Sequence, residues 1–173
     1  LIQYLFSRKE EEGFTLVELI VVVMIIGILS SIAIPSFMNA GDKAKQKEAS
    51  VALSAYVRAA QAYYTENSQN AVHAGHLANY VSVIACANAS NPSGCKDSPP
   101  INLENTQATS WNTPSGLYAI GIISSNSQVQ FTANPSEGFN GYGVSACFSS
   151  QTGSTKVVES STKERLVTPP NCT

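Results

Sequence analysis

Apolar residues run from Phe14 to Ile34 with one charge among them, Glu18, and the run shows neither the two-residue alternation of a half-buried strand nor the polar face of an amphipathic helix. Its length is that of a bilayer. A helix rising roughly 1.5 Å per residue crosses a hydrocarbon layer of about 30 Å in about 20 residues. Fourteen residues of the run are Leu, Ile, Val or Phe. Each gains roughly 0.3 to 0.6 kcal/mol near a membrane centre, against roughly 2.5 to 3.5 kcal/mol lost for a central carboxylate, so insertion is favoured despite Glu18. The carboxylate stands near one end of the run, within reach of headgroups, and it still requires a partner.

Past Pro35 the chain turns polar without losing its helical character. Ala49, Ala52, Tyr56, Ala60 and Tyr63 recur at three- and four-residue spacing among good helix formers, which predicts one face able to pack on a sheet. Pro35 lacks an amide hydrogen and its ring crowds the carbonyl four residues back, so a kink or local unwinding is expected between the two halves, with Gly27 and Gly41 weakening the helix further. From Asn67 to Pro114, Asn, Ser, Ala and Pro dominate with little periodicity apart from a short apolar piece at Tyr80 to Ala85, and the segment reads mainly as a long loop. Leu117–Ile123, Gln128–Ala133 and Tyr142–Phe148 then carry β-branched and aromatic residues separated by Ser, Asn, Pro and Gly, predicting an antiparallel meander. Lys156–Val158 adds a short strand, and the tail from Arg165 to Thr173, with two prolines, is expected to lie over the sheet. The predicted fold class is α+β: a long N-terminal α-helix, membrane-spanning in its first half and amphipathic in its second, packed on a small antiparallel β-sheet head.

Composition narrows this picture. With 173 residues and 43% hydrophobic content, the chain has one anchor plus roughly 130 residues, enough for one modest core. The formal charge is −2, and the first 13 residues hold two bases and three acids, so no basic bias points to nucleic acid. Trp111 and the Tyr63-Tyr64 pair are read as packing residues rather than as a stacking platform for bases, which leaves a nucleic-acid partner unsupported. Four cysteines, Cys86, Cys95, Cys147 and Cys172, all follow the apolar run and suit an oxidising compartment. Two disulfides are expected. Cys86 and Cys95 enclose the turn-forming Asn91-Pro92-Ser93-Gly94, which would leave Cys147 and Cys172 to tie the tail to a strand, although four cysteines permit three pairings. A four-thiolate metal site is disfavoured because no Cys-x-x-Cys occurs.

Other chemistry is sparse. His73 and His76 share a three-residue spacing but have no acidic or cysteine neighbour in sequence to complete a metal site, so they read as surface histidines near a helix end. Gly-rich phosphate loops, nucleophile elbows and paired catalytic carboxylates are missing from the sequence, and neither catalysis nor a cofactor is expected.

The run Gly13-Phe14-Thr15-Leu16-Val17-Glu18 resembles the type IV pilin family, whose leader ends in glycine before Phe-Thr-Leu-(Val or Ile)-Glu and an apolar helix. A secretory signal would have a shorter apolar core followed by a small-residue cleavage site, and a plain anchor has no use for an acid four residues after the aromatic. The resemblance implies cleavage between Gly13 and Phe14 by a prepilin peptidase on the cytoplasmic side and methylation of the new amino group of Phe14. It divides the chain into a leader at 1–13, the membrane and assembly half of the helix at 14–39, and a head at 40–173. Leu1 stands in place of methionine, which leaves the start of the leader open, and Glu10, Glu11 and Glu12 dilute the basic charge of Arg8 and Lys9. Lys43, Lys45 and Lys47 rival those two bases on the far flank, so orientation follows from the resemblance and not from charge. Pro35 falls where the family carries a helix-perturbing proline, whereas Ala55 stands where many members have a second. Ile34-Pro35-Ser36-Phe37 and Ala60-Gln61-Ala62-Tyr63-Tyr64 are similar to cyanobacterial pilins in particular.

The function implied is that of a structural subunit: an inner-membrane single-pass precursor that polymerises with copies of itself into an extracellular filament for motility, adhesion or DNA uptake. Its implied partners are the peptidase, an inner-membrane assembly platform and an assembly ATPase, with Phe14 and Glu18 as the assembly residues. A minor pilin or a type II secretion pseudopilin is the alternative. Major pseudopilins of the resembling kind usually lack disulfides and carry an acidic calcium-binding loop near the C-terminus, and no such acid cluster is visible here. A membrane-tethered adhesin that never polymerises would carry Glu18 without a use for it.

Overall fold

The computed structural model describes residues 13–87, 95, 99–164 and 166–172. Residues 1–12 of the expected leader and the expected turn at 91–94 lie outside the described residues. The described residues form helices α1 (Leu16–Asn67) and α2 (Ala74–Ala78) and strands β1 (Ile84–Cys86), β2 (Pro100–Asn102), β3 (Ser110–Asn112), β4 (Tyr118–Ser124), β5 (Gln128–Pro135), β6 (Val144–Ser149) and β7 (Thr155–Glu159). The chain divides into two compact units, one up to Asn39 and one from Ala40 onward. Helix α1 is helical on both sides of Pro35 and through it.

In the unit from Ala40, the small and aromatic residues of α1 at three- and four-residue spacing meet the sheet. Ala49, Leu53, Tyr56, Val57 and Ala60 are buried in one core with Trp111, Tyr118, Ile120, Phe131, Val144 and Phe148. Tyr56 packs edge-on to Trp111 at 5.5 Å between ring centroids, and Tyr64 does the same with Phe148 at 5.9 Å. The alanines let the helix approach the sheet closely, and the rings fill the space between them.

The sheet is an antiparallel meander in the order β3-β4-β5-β6-β7. In β4 the alternation is plain, with Tyr118, Ile120 and Ile122 buried. In β6 it vanishes, because every residue from Val144 to Ser149 is buried. Both faces of that strand are covered. Val144, Ala146 and Phe148 belong to the core under α1, and the opposite face takes the C-terminal tail. Cys172 is bonded to Cys147, the amide of Gln130 donates to the carbonyl of Pro170 at 3.0 Å, and the backbone of Val167 donates to Asn134 Oδ1 at 2.8 Å. Gly143 makes room for this crossing: a Cβ built there would stand 2.3 Å from Val167 Cγ1.

The segment from Asn67 to Pro114 is more ordered than its composition predicts. It contains α2, the antiparallel β1–β2 pair, and β3, which adds to the main sheet beside β4. These elements escape a periodicity reading because each strand has three residues and α2 five, too few for an alternation to repeat. What holds them is tertiary. Ala74 N donates to Ala108 O, Gly75 N to Thr106 O, and Cys86 is joined to Cys95 with the Cα atoms 5.2 Å apart.

Gln46 couples the helix to the end of the sheet. Its buried amide donates to the carbonyls of Gly143 at 3.0 Å and Ser160 at 2.9 Å. Lys47 then reaches both carboxylate oxygens of Glu159, and this hydrogen bonding holds the Glu159 carboxyl below its ordinary value. Lys163 pairs with Asp42 at 2.6 Å. These exposed pairs contribute at most about 1 kcal/mol each, so the buried amide carries more of the attachment.

Candidate functional site: the start of the N-terminal helix

Gly13 and Phe14 precede the helix in irregular backbone, and α1 begins at Leu16. Thr15 therefore occupies the N-cap. Its hydroxyl accepts from the backbone N–H of Glu18 at 3.2 Å, while Glu18 Oε2 accepts from the backbone N–H of Thr15 at 2.9 Å and from its hydroxyl at 2.7 Å. This is a reciprocal capping box, in which two orphan amides at the helix start are satisfied by each other's side chains. The spacing Thr-x-x-Glu that produces it is legible in the sequence. It is easily passed over when Glu18 is weighed only as a charge in an apolar run.

The carboxylate thus stands one turn from the peptide bond between Gly13 and Phe14. Gly13 has open space where a side chain would begin, since a Cβ there meets nothing within 4 Å. Phe14 is 88% exposed.

From Leu16 to Met38 the helix is about 34 Å long, and its large apolar side chains are exposed, Phe37 at 81%. α1 is the one helix among the described residues long and apolar enough to cross a membrane. A helix that is apolar on every side cannot stay in water, so lipid or other helices must cover it. Within it, Ser31 donates its hydroxyl to the carbonyl of Ile28 at 2.7 Å, and Pro35 has no N–H to return to the carbonyl of Ser31.

The remaining sequence candidates lie in the unit from Ala40. The four cysteines form the pairs Cys86–Cys95 and Cys147–Cys172. Trp111 is buried and Tyr63 and Tyr64 are partly buried against the core, as packing residues. His73 and His76 are not simple surface residues. Both are half-buried, with ring centroids 3.7 Å apart, and His76 stacks on Tyr63 at 4.3 Å. Among the described residues no group of three His, Cys, Asp or Glu is placed to hold a metal ion.

The histidine pair gives the head a pH response. Burial, and then the neighbouring His73, push the His76 imidazole below its ordinary value. The unfolded chain therefore takes up the proton first as pH falls, so the stability contributed by neutral His76 is present above about pH 6.5 and is lost as pH falls through the lower folded value. Glu66 lies close by through its hydrogen bond from Tyr80, whose ring meets Tyr63 edge-on. The expected result is a larger drop in melting temperature between about pH 7.5 and about pH 5.5 for the wild-type chain than for His76→Gln. Equal drops would contradict it.

The family described as "Prokaryotic N-terminal methylation motif" matches residues 8–34. The chain is 42% identical over 62 residues to the "Type IV major pilin protein PilA" of Myxococcus xanthus, covering 36% of this chain and 28% of that protein. It is 48% identical over 54 residues to the "Type IV narrow pilus major component PilA5" of Thermus thermophilus, covering 31% and 46%. It is also 38% identical over 61 residues to the "Type II secretion system core protein G" of Pseudomonas aeruginosa, covering 35% and 43%. The chain thus spans less than half the length of these relatives. No solved structure matches. Over about a third of its length the chain is homologous to type IV pilins and type II secretion pseudopilins, and it carries the prepilin methylation motif at residues 8–34.

Proposed function

We propose that this chain is the structural subunit of a type IV pilus, processed between Gly13 and Phe14 and polymerised through the apolar half of α1. The observation that carries the reading is an unburied apolar helix of membrane length whose single acid is held at its first turn, next to the position of the proposed cut. In the inner membrane, lipid covers the helix. In the filament, copies of the same helix replace the lipid. Partners in this reading are further copies of the chain, a prepilin peptidase, an inner-membrane assembly platform and an assembly ATPase. The wording at Ile34 to Phe37 and at Ala60 to Tyr64 supports a pilin of cyanobacterial type.

Cleavage creates a charged amine on Phe14 beside the positive end of the α1 dipole, an unfavourable place for a cation. A carboxylate relieves this, and Glu18 is the acid within one turn. On assembly, Glu18 of one subunit exchanges its bonds to Thr15 for the Phe14 amine of a neighbour, which offsets the desolvation of both groups and sets the axial register. Pro35, with one helical hydrogen bond already missing, is where α1 would bend or loosen as subunits pack.

The reading is tested at its first step by Gly13→Ala. A methyl group there meets no neighbour, so the folded chain tolerates it. The expected product is a full-length membrane precursor, with cleavage reduced at least about tenfold and no filaments, read by immunoblot of membrane and sheared fractions. Unchanged processing would contradict a cut at this glycine.

The type II secretion reading has its own support in relatives that bear that name. The two disulfides of the head favour a pilus.

A further inference from the structure

Helix α1 ends in a cap that opens a cavity. The backbone of Ser68 takes a left-handed conformation, φ 54°, and its N–H donates to the carbonyl of Tyr64 at 2.8 Å, turning the chain sharply toward the β4–β5 hairpin. Between the two lies an open cavity of about 450 Å³, lined by Tyr64, Ser68, Gln69, Asn70, Val72 and the hairpin residues 124–126. That volume falls in the range of small-molecule sites. Every lining group lies in the unit from Ala40, at the end of α1 remote in sequence from the apolar half.

The chemistry of the lining is specific. It contains no Lys, Arg, Asp, Glu or His, so nothing in it selects for charge. Three primary amides (Gln69, Asn70 and Asn126) and three serine hydroxyls offer both donors and acceptors, while Tyr64 and Val72 supply apolar surface. Asn70 is fixed in place, its Nδ2 donating to the Ser125 carbonyl at 2.7 Å and to Ser150 Oγ at 3.2 Å. Its Oδ1 is buried and makes no hydrogen bond in the structure, so a ligand hydroxyl reaches it only if the Asn70 side chain turns toward the cavity. A ligand matching this set is uncharged, carries several hydroxyls that both donate and accept, and has an apolar C–H face for an aromatic ring. We propose that this cavity binds a neutral saccharide of one or two residues, which would give the chain a recognition site separate from its assembly helix.

The test uses the full chain solubilised in detergent, so its outcome does not depend on whether the chain polymerises. The labelled protein is applied to an array of neutral glucose, galactose, mannose and N-acetylglucosamine oligosaccharides printed beside sialylated and sulfated counterparts. Gln69 and Asn126 are exposed, so Gln69→Trp and Asn126→Trp fill the cavity with little effect on folding, and Gln61→Trp on the exposed side of α1 is the control. The expected result is binding to at least one neutral saccharide, weakened at least about tenfold by either occluding variant and unchanged in the control, with all melting temperatures alike. Three results would each overturn the proposal: no binding by the wild-type chain, binding confined to anionic glycans, or binding indifferent to occlusion. Should Gln69→Trp fail to fold, Asn126→Trp decides alone.

Discussion

Glu18→Ala is expected to leave cleavage and membrane insertion intact and to reduce surface filaments more than a hundredfold. Removing one partner of a buried ion pair leaves the other charge uncompensated, at about 3 to 5 kcal/mol, and every 1.4 kcal/mol is about tenfold in the equilibrium for adding a subunit. The substitution also deletes the capping bonds to Thr15, so alanine alone cannot separate the two roles. Glu18→Gln does. Glutamine serves the reciprocal cap as glutamate does but has no charge for a neighbouring amine. The pairing mechanism predicts that Glu18→Gln assembles as poorly as Glu18→Ala, whereas Thr15→Ala, which weakens the cap by about 1 kcal/mol, assembles better than either. Counting filaments by electron microscopy, with immunoblots for processed subunit, checks this. Wild-type filament yield from Glu18→Gln would remove the ion pair from the mechanism.

The second large effect is expected at the other end of the chain. Cys147 and Cys172 close a loop with a sequence separation of 25, which stabilises by about 3.5 kcal/mol in the chain-entropy model. Their bond also anchors the tail that covers the outer face of β6. Without it, the tail would be held by isolated hydrogen bonds, from Val167 N to Asn134 Oδ1, Gln130 Nε2 to Pro170 O, Cys172 N to Gln128 Oε1 and Ser154 Oγ to Cys172 O. Cys147→Ser combined with Cys172→Ser should therefore lower the melting temperature by roughly 10 °C and speed proteolysis between β7 and the C-terminus, with far-UV circular dichroism almost unchanged. The Cys86–Cys95 bond, with a separation of 9, should contribute less, about 2.6 kcal/mol. Equal melting temperatures with and without the Cys147–Cys172 bond would contradict the stapling role.

What the sequence made legible was local. The apolar run shows because apolar residues dominate the positions from Phe14 to Ile34, with Glu18 the one charge among them. Strands β4 to β7 show because β-branched and aromatic residues alternate between turn-forming clusters, and the tail shows through its prolines and its cysteine. Features that depend on distant neighbours did not show. Gln46 looks like any polar residue of a solvated helix, yet it is buried because Gly143 and Ser160, about a hundred positions away, present carbonyls to it. Strand β6 reads as a strand with one wet face until the tail covers that face. His73 and His76 look superficial, since only the fold stacks Tyr63 on His76 and sets the two imidazoles together.

The candidate site divides the same way. The pattern Gly13-Phe14 and Glu18 could be read directly, but its cap with Thr15 becomes a fact only once Leu16 is seen to start the helix. The cavity at the other end of α1 could not be read at all. Its residues are Ser, Asn and Gln, types common throughout the chain, and a left-handed Ser68 together with a hairpin from a distant segment makes them a single surface.

The measurement that bears most directly on the central claim is mass spectrometry of filaments sheared from the surface of the native organism. Assembly of a processed pilin predicts that the dominant N-terminal peptide begins at Phe14, carries one methyl group on its amine, and is abundant in the filament fraction. A chain recovered only in the membrane, with residues ahead of Phe14 still attached, would contradict the account.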